Sequence, residues 1–119
     1  MRFRPTAVGY VRSDVSGARQ AWDEERIRSR AKRLGYDFAK IVVADARSGG
    51  QGQGGGALLA GLKATLRRLD AEAVIVPSAK HFVGEQVPSD LVQLVDVITV
   101  EPEETYARWA IPPIPPDQR

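Results

Sequence analysis

The chain contains no cysteine and a single histidine among its 119 residues. The first absence excludes a disulfide framework and thiol catalysis. Together the two leave too few of the usual ligands for a zinc site; no metal and no other cofactor is expected. No stretch approaches the roughly 20 apolar residues of a membrane span. The opening Met-Arg-Phe-Arg-Pro also lacks an apolar signal core, so a cytoplasmic protein with no membrane partner is expected. Lysine and arginine are missing altogether from residues 85–104, which hold six acids. Residues 1–34 carry the opposite excess, nine Lys or Arg against four acids. Such a layout suits an anionic partner such as DNA at the basic half, or head-to-tail contact in a homo-oligomer. Two solvated faces of opposite sign would explain it equally well.

What is present is a globular composition, 43% hydrophobic and 27% charged, in a chain long enough for one unstapled core. Residues 7–11 are a short apolar run suited to a buried strand. They break into a polar loop at Arg12, Ser13, Asp14, Ser16 and Gly17. Residues 20–34 read as a helix with Trp22, Ile27, Ala31 and Leu34 on one side. Its acids come first and its bases last, complementing the helix dipole, and Gly35 is its stop. Residues 38–44 form a second strand, residues 46–56 a glycine-rich loop. Leu59, Leu62, Leu66 and Leu69 mark a helix over 57–69. Residues 73–76 are a third strand, stopped by Pro77. Pro88 opens a short helix with Ser89 as N-cap and Leu91, Leu94 and Val95 as its apolar side, and residues 97–100 are a fourth strand. This order predicts an α/β fold: three-layer, with a mostly parallel sheet of four to five strands, flanking helices and right-handed crossovers. Residues 1–104 form the domain. Residues 105–119 form a proline-rich tail whose Ile-Pro-Pro-Ile-Pro-Pro cannot join a sheet.

Gly9-Tyr10-x-Arg12 followed by a serine-containing loop resembles the opening of the serine recombinase (resolvase/invertase) catalytic domain, usually Tyr-x-Arg-x-Ser. The likeness runs over roughly residues 7–100, with Asp45, Ser48 and Gly49 similar to the family's Asp-containing loop. It implies a resolvase-like fold and phosphoserine chemistry on DNA, a nucleophile assisted by arginines that neutralise the scissile phosphate. The nucleophile position, four residues after Tyr10, holds Asp14; Ser13 lies one residue early and Ser16 two residues late. Of the family's arginines Arg12 is kept. Lys80 and His81 stand where its Asp-Arg is expected, Gly84 stands at its last arginine, and Arg47 is near an arginine position without aligning to it. The resemblance with these departures implies a resolvase-like pseudoenzyme that has lost recombinase activity. It would act through protein binding, non-specific nucleic-acid binding or self-association.

The anion- or DNA-binding candidates are Tyr10, Arg12, Arg26, Arg30, Arg33, Arg47, Lys80 and His81. Lys80 and His81 would act as point charges without the bidentate fork of arginine. No helix-turn-helix or zinc-ribbon spacing follows residue 100, so any DNA contact is expected to be weak and blind to sequence. Two other functions stay open. Ser13 or Ser16 with Arg12 could retain strand phosphoryl transfer, and either serine with His81 and Asp45 could form a triad, although no nucleophile elbow is present. Gly50 to Gly55 reads G-Q-G-Q-G-G and could serve a nucleotide or other small molecule, although a dinucleotide site wants its turn directly after a strand.

Overall fold

In the computed structural model, residues 4–45 and 55–108 are described. Among these residues five strands form one sheet: β1 (Thr6–Arg12), β2 (Asp37–Ala44), β3 (Ala73–Val76), β4 (Asp96–Thr99) and β5 (Glu104–Tyr106). They lie in the order β2-β1-β3-β4-β5. The first four are parallel and β5 is antiparallel to β4. The helices are the single turn α1 (Ser13–Ser16), α2 (Gln20–Leu34), α3 (Gly55–Arg68) and the short α4 (Ser89–Val92).

Side-chain alternation along β1 divides the core into two. Ala7 and Val11 face α2, where Ile27 and Ala31 pack on them together with Ala73, Ile75 and Ile98. Val8 and Tyr10 face the opposite way, against Leu62 and Leu66 of α3 and Leu91 of α4. A strand buried on both faces needs a helix on each, and the result is a three-layer α/β domain. Gly9 lies on the α2 side, and a Cβ there would come within 2.9 Å of Ile27 Cγ2, 3.1 Å of Ile41 Cγ1 and 3.2 Å of Phe38 Cζ. The missing side chain is what lets α2 approach the sheet so closely. At the far end of α2, Gly35 takes φ 86° and ends the helix in the left-handed conformation that glycine adopts without strain.

The elements differ from their sequence expectations at a few points. The polar loop after β1 coils into α1 and then a 3₁₀ turn, Gly17–Arg19. Helix α3 opens at Gly55, before the predicted residue 57. Pro88, not Ser89, occupies the N-cap position of α4, and no side chain caps it. Strand β5 carries the sheet past residue 104 to Tyr106. It is exposed throughout, so no hydrophobic alternation announces it. Trp22 leaves the core side of α2 and is 49% exposed, its place in the stripe taken by Asp23, 8% exposed. The indole instead carries two guanidinium groups, Arg19 at 4.4 Å and Arg26 at 4.5 Å from the ring centre. That stacking suits a flat aromatic left at the surface.

The basic helix and the acidic segment meet each other. Arg26 reaches Glu101 at 3.2 Å, while Arg30 and Arg33 reach Glu103 at 3.7 and 3.2 Å. These acids sit on the turn between β4 and β5, which lies along α2 as an acidic clasp. No described helix is long and apolar enough to cross a membrane.

Candidate functional site

Strands β2 and β3 flank β1 on opposite sides, so the connections leaving β1 and β3 part in opposite directions. In open α/β sheets the crevice left at such a point, beyond the carboxyl ends of the strands, is where ligands enter. Here the segment after β1 brings Val15, Ser16 and Arg19 to it, and the first turn of α2 brings Asp23. The segment after β3 brings Pro77, Ser78, Lys80 and His81, and the β4–β5 turn closes the side with Glu101. The crevice has a volume of about 340 Å³.

His81 ties the two segments together. It is 3% exposed, and its Nδ1 accepts the backbone N–H of Arg12 at 2.9 Å. An acceptor nitrogen carries no proton, so the neutral ring bears its hydrogen on Nε2. Burial holds its pKa below the usual 6.5, with the Asp23 carboxylate pulling upward, Arg12 downward and Asp14 upward. The folded chain therefore binds fewer protons than the unfolded chain once pH drops below the ordinary histidine value of about 6.5. Stability is expected to be full above that pH and to fall as pH decreases toward the depressed folded value. Thermal unfolding from pH 7.5 to 5.5 checks this. The midpoint will drop in the wild type and hold nearly level in His81→Gln, whose amide oxygen can still accept the Arg12 N–H.

Beside this ring the hydroxyl of Ser16 donates to Asp23 Oδ2 at 2.6 Å, and both residues are buried. The bond satisfies two polar groups that would be costly to bury alone. The Arg19 guanidinium lies over the Trp22 ring, 4.4 Å from its centre. Lys80 is exposed, its backbone N–H donating to Ser78 Oγ at 3.3 Å. Neither cation pairs with a carboxylate among the described residues.

Arg12 is differently placed. Its Nη2 and Nε donate to the two oxygens of Asp14 at 2.6 and 3.2 Å, a bidentate fork. Those hydrogen bonds raise the arginine pKa, against the opposing effect of burial. Asp14 thus fills the bidentate fork of the Arg12 guanidinium. The hydroxyl of Ser13 turns to the end of β2, sharing its proton between Ala44 O and Asp45 Oδ2, each at 3.3 Å. Tyr10 stacks on Phe82 with ring centres 5.8 Å apart, and burial raises its pKa above 10.0. It belongs to a second, largely apolar cavity of about 450 Å³ on the α3 side, shared with Leu58, Leu59 and Val87.

The sequence candidates therefore do not gather into one anion site. Ser16, Lys80 and His81 share the crevice. Arg12 and Ser13 are engaged beside it, Tyr10 is in the core, and Arg26, Arg30 and Arg33 face the acidic clasp. Arg47 lies outside the described residues, as do the loop glycines Gly50 to Gly54. Sequence reasoning missed Asp14 as a partner for Arg12, and Asp23 and Arg19 as crevice walls. Asp23 had a signal: it stands four residues before Ile27 and eight before Ala31, in step with the buried stripe. Comparison with protein-family models, curated proteins and solved structures finds no match to this chain.

Proposed function

We propose that this chain is a recognition domain resembling the serine recombinase catalytic domain, one that binds at the carboxyl edge of its sheet and does not cut DNA. The observation that supports this reading is the Arg12–Asp14 fork. Strand cleavage needs a hydroxyl aimed at a phosphate that arginines already hold. In this chain a carboxylate stands at the nucleophile position and occupies the one matching arginine. The experiment is incubation with supercoiled plasmid, stopped with detergent and inspected for protein covalently joined to DNA. No adduct is expected; one that disappears on serine substitution would refute the reading.

One bond favours a second reading, residual phosphoryl transfer at Ser16. Its hydroxyl already donates to a carboxylate, Asp23, at 2.6 Å. In such a step Ser16 Oγ would bond to phosphorus and pass its proton to Asp23. The displaced sugar oxygen would leave and take a proton from solvent. An adduct retained in Ser13→Ala and lost in Ser16→Ala, with both variants folded, would establish this reading over the first.

A further inference from the structure

We propose that the crevice between the β1 and β3 segments is a subsite for a phosphorylated polyol, a phosphate carried next to free hydroxyl groups. This rests on the reading that the sheet edge binds rather than cuts, and it adds the place and the class of ligand.

The crevice is chemically two-ended. Its floor is buried and offers both an acceptor and a donor: the Asp23 carboxylate accepts, and the His81 ring, 3% exposed, offers Nε2 because Nδ1 is held by the Arg12 N–H. One Asp23 oxygen takes the Ser16 hydroxyl; the carboxylate keeps lone pairs for further donors. An acceptor and a donor fixed side by side fit hydroxyls, each of which gives one hydrogen bond and takes another. They do not fit a bare anion, which the Asp23 carboxylate would repel.

The mouth has the opposite character. Arg19 and Lys80 line it without carboxylate partners among the described residues. Glu101, which also lines the crevice, is matched by Arg26 at 3.2 Å. Arg19 already lies over Trp22, 4.4 Å from the ring centre, which lowers the side-chain freedom it has to lose on binding. Two unmatched cations at the rim favour a dianionic phosphate there. The volume, about 340 Å³, is at the small end of ligand pockets. It suits one sugar ring with its phosphate, and the position is the topological switch point of the sheet.

A free sugar phosphate and the ribose-phosphate part of a mononucleotide share this chemistry. The test is calorimetric titration of the full chain with ribose 5-phosphate, ribose, inorganic phosphate and adenosine monophosphate. Saturable binding of ribose 5-phosphate is expected, about tenfold or more tighter than inorganic phosphate, with ribose alone weaker still, because both ends contribute. Lys80→Ala and Arg19→Ala, both at exposed positions, will each weaken it about fivefold or more. Asp23→Asn will weaken ribose 5-phosphate and leave inorganic phosphate unchanged or tighter. Adenosine monophosphate binding more tightly than ribose 5-phosphate would identify the nucleotide as the source; weaker binding would identify the free sugar phosphate. Inorganic phosphate binding as well as ribose 5-phosphate, or insensitivity to the rim variants, would overturn the proposal, as would no binding at all. Such a failure leaves the non-cutting reading standing, whereas a covalent plasmid adduct defeats that reading without touching this titration.

Discussion

Truncating Ile27 to alanine will cost the fold about 2 to 5 kcal/mol, the range for a buried aliphatic side chain cut back to alanine. Ile27 has no exposure and is the contact through which α2 presses on β1 at Gly9. The same contact makes the converse change costly. Gly9→Ala places a methyl 2.9 Å from Ile27 Cγ2, and overpacking of this kind costs about 1 to 3 kcal/mol. The two variants are coupled. In the double variant the methyl added at Gly9 enters space that Ile27 has vacated, so the combined loss will be smaller than the sum of the single losses. Urea unfolding of the four proteins measures this. Strict additivity would mean that α2 and β1 do not share the contact described.

Replacing Asp14 with alanine will turn Arg12 from an internally satisfied group into a phosphate ligand. The fork that now closes on the carboxylate, at 2.6 and 3.2 Å, has the geometry that phosphate oxygens use. Affinity for a labelled DNA duplex at low salt is expected to rise by about tenfold, or about 1.4 kcal/mol. The folded state will lose about 2 kcal/mol, since the guanidinium gives up charged hydrogen bonds at a side chain only 12% exposed. Asp14→Asn, which keeps an acceptor and removes the charge, will fall between the two proteins in both measurements. Fluorescence anisotropy and thermal unfolding report the pair of effects. Unchanged DNA affinity in a folded Asp14→Ala chain would show that Arg12 has no latent phosphate role.

The fold was legible where local pattern and tertiary demand agree. The β-branched runs of β1 and β3 had to be buried strands, and the bounds of α2 followed from acids first, bases last and a glycine stop. The leucine stripe of α3 was right in kind, with Leu62 and Leu66 buried. What the pattern could not carry was pairing at a distance. Trp22 was expected inside because it is large and apolar. Two arginines, three residues before it and four after, give its ring faces partners that the core does not. Asp23 was read only as one of the acids that suit the first turn of the helix; Ser16, seven residues away, supplies the bond that makes its burial tolerable. The Arg26–Glu101 contact spans 75 positions, and no periodicity reaches that far. The site was half legible for the same reason. Lys80 and His81 were marked by their place after the third strand, but the part His81 plays depends on a backbone N–H 69 residues earlier.

The acidic clasp has a consequence for how the basic helix would meet any polyanion. Arg26, Arg30 and Arg33 come with their own counterions built into the chain, as Glu101 and Glu103. A phosphate backbone docking there would evict tethered carboxylates as well as dissolved ions. Little of the entropy that normally rewards such docking would be released. Three arginines in sequence are thus far from three arginines' worth of attraction in solution.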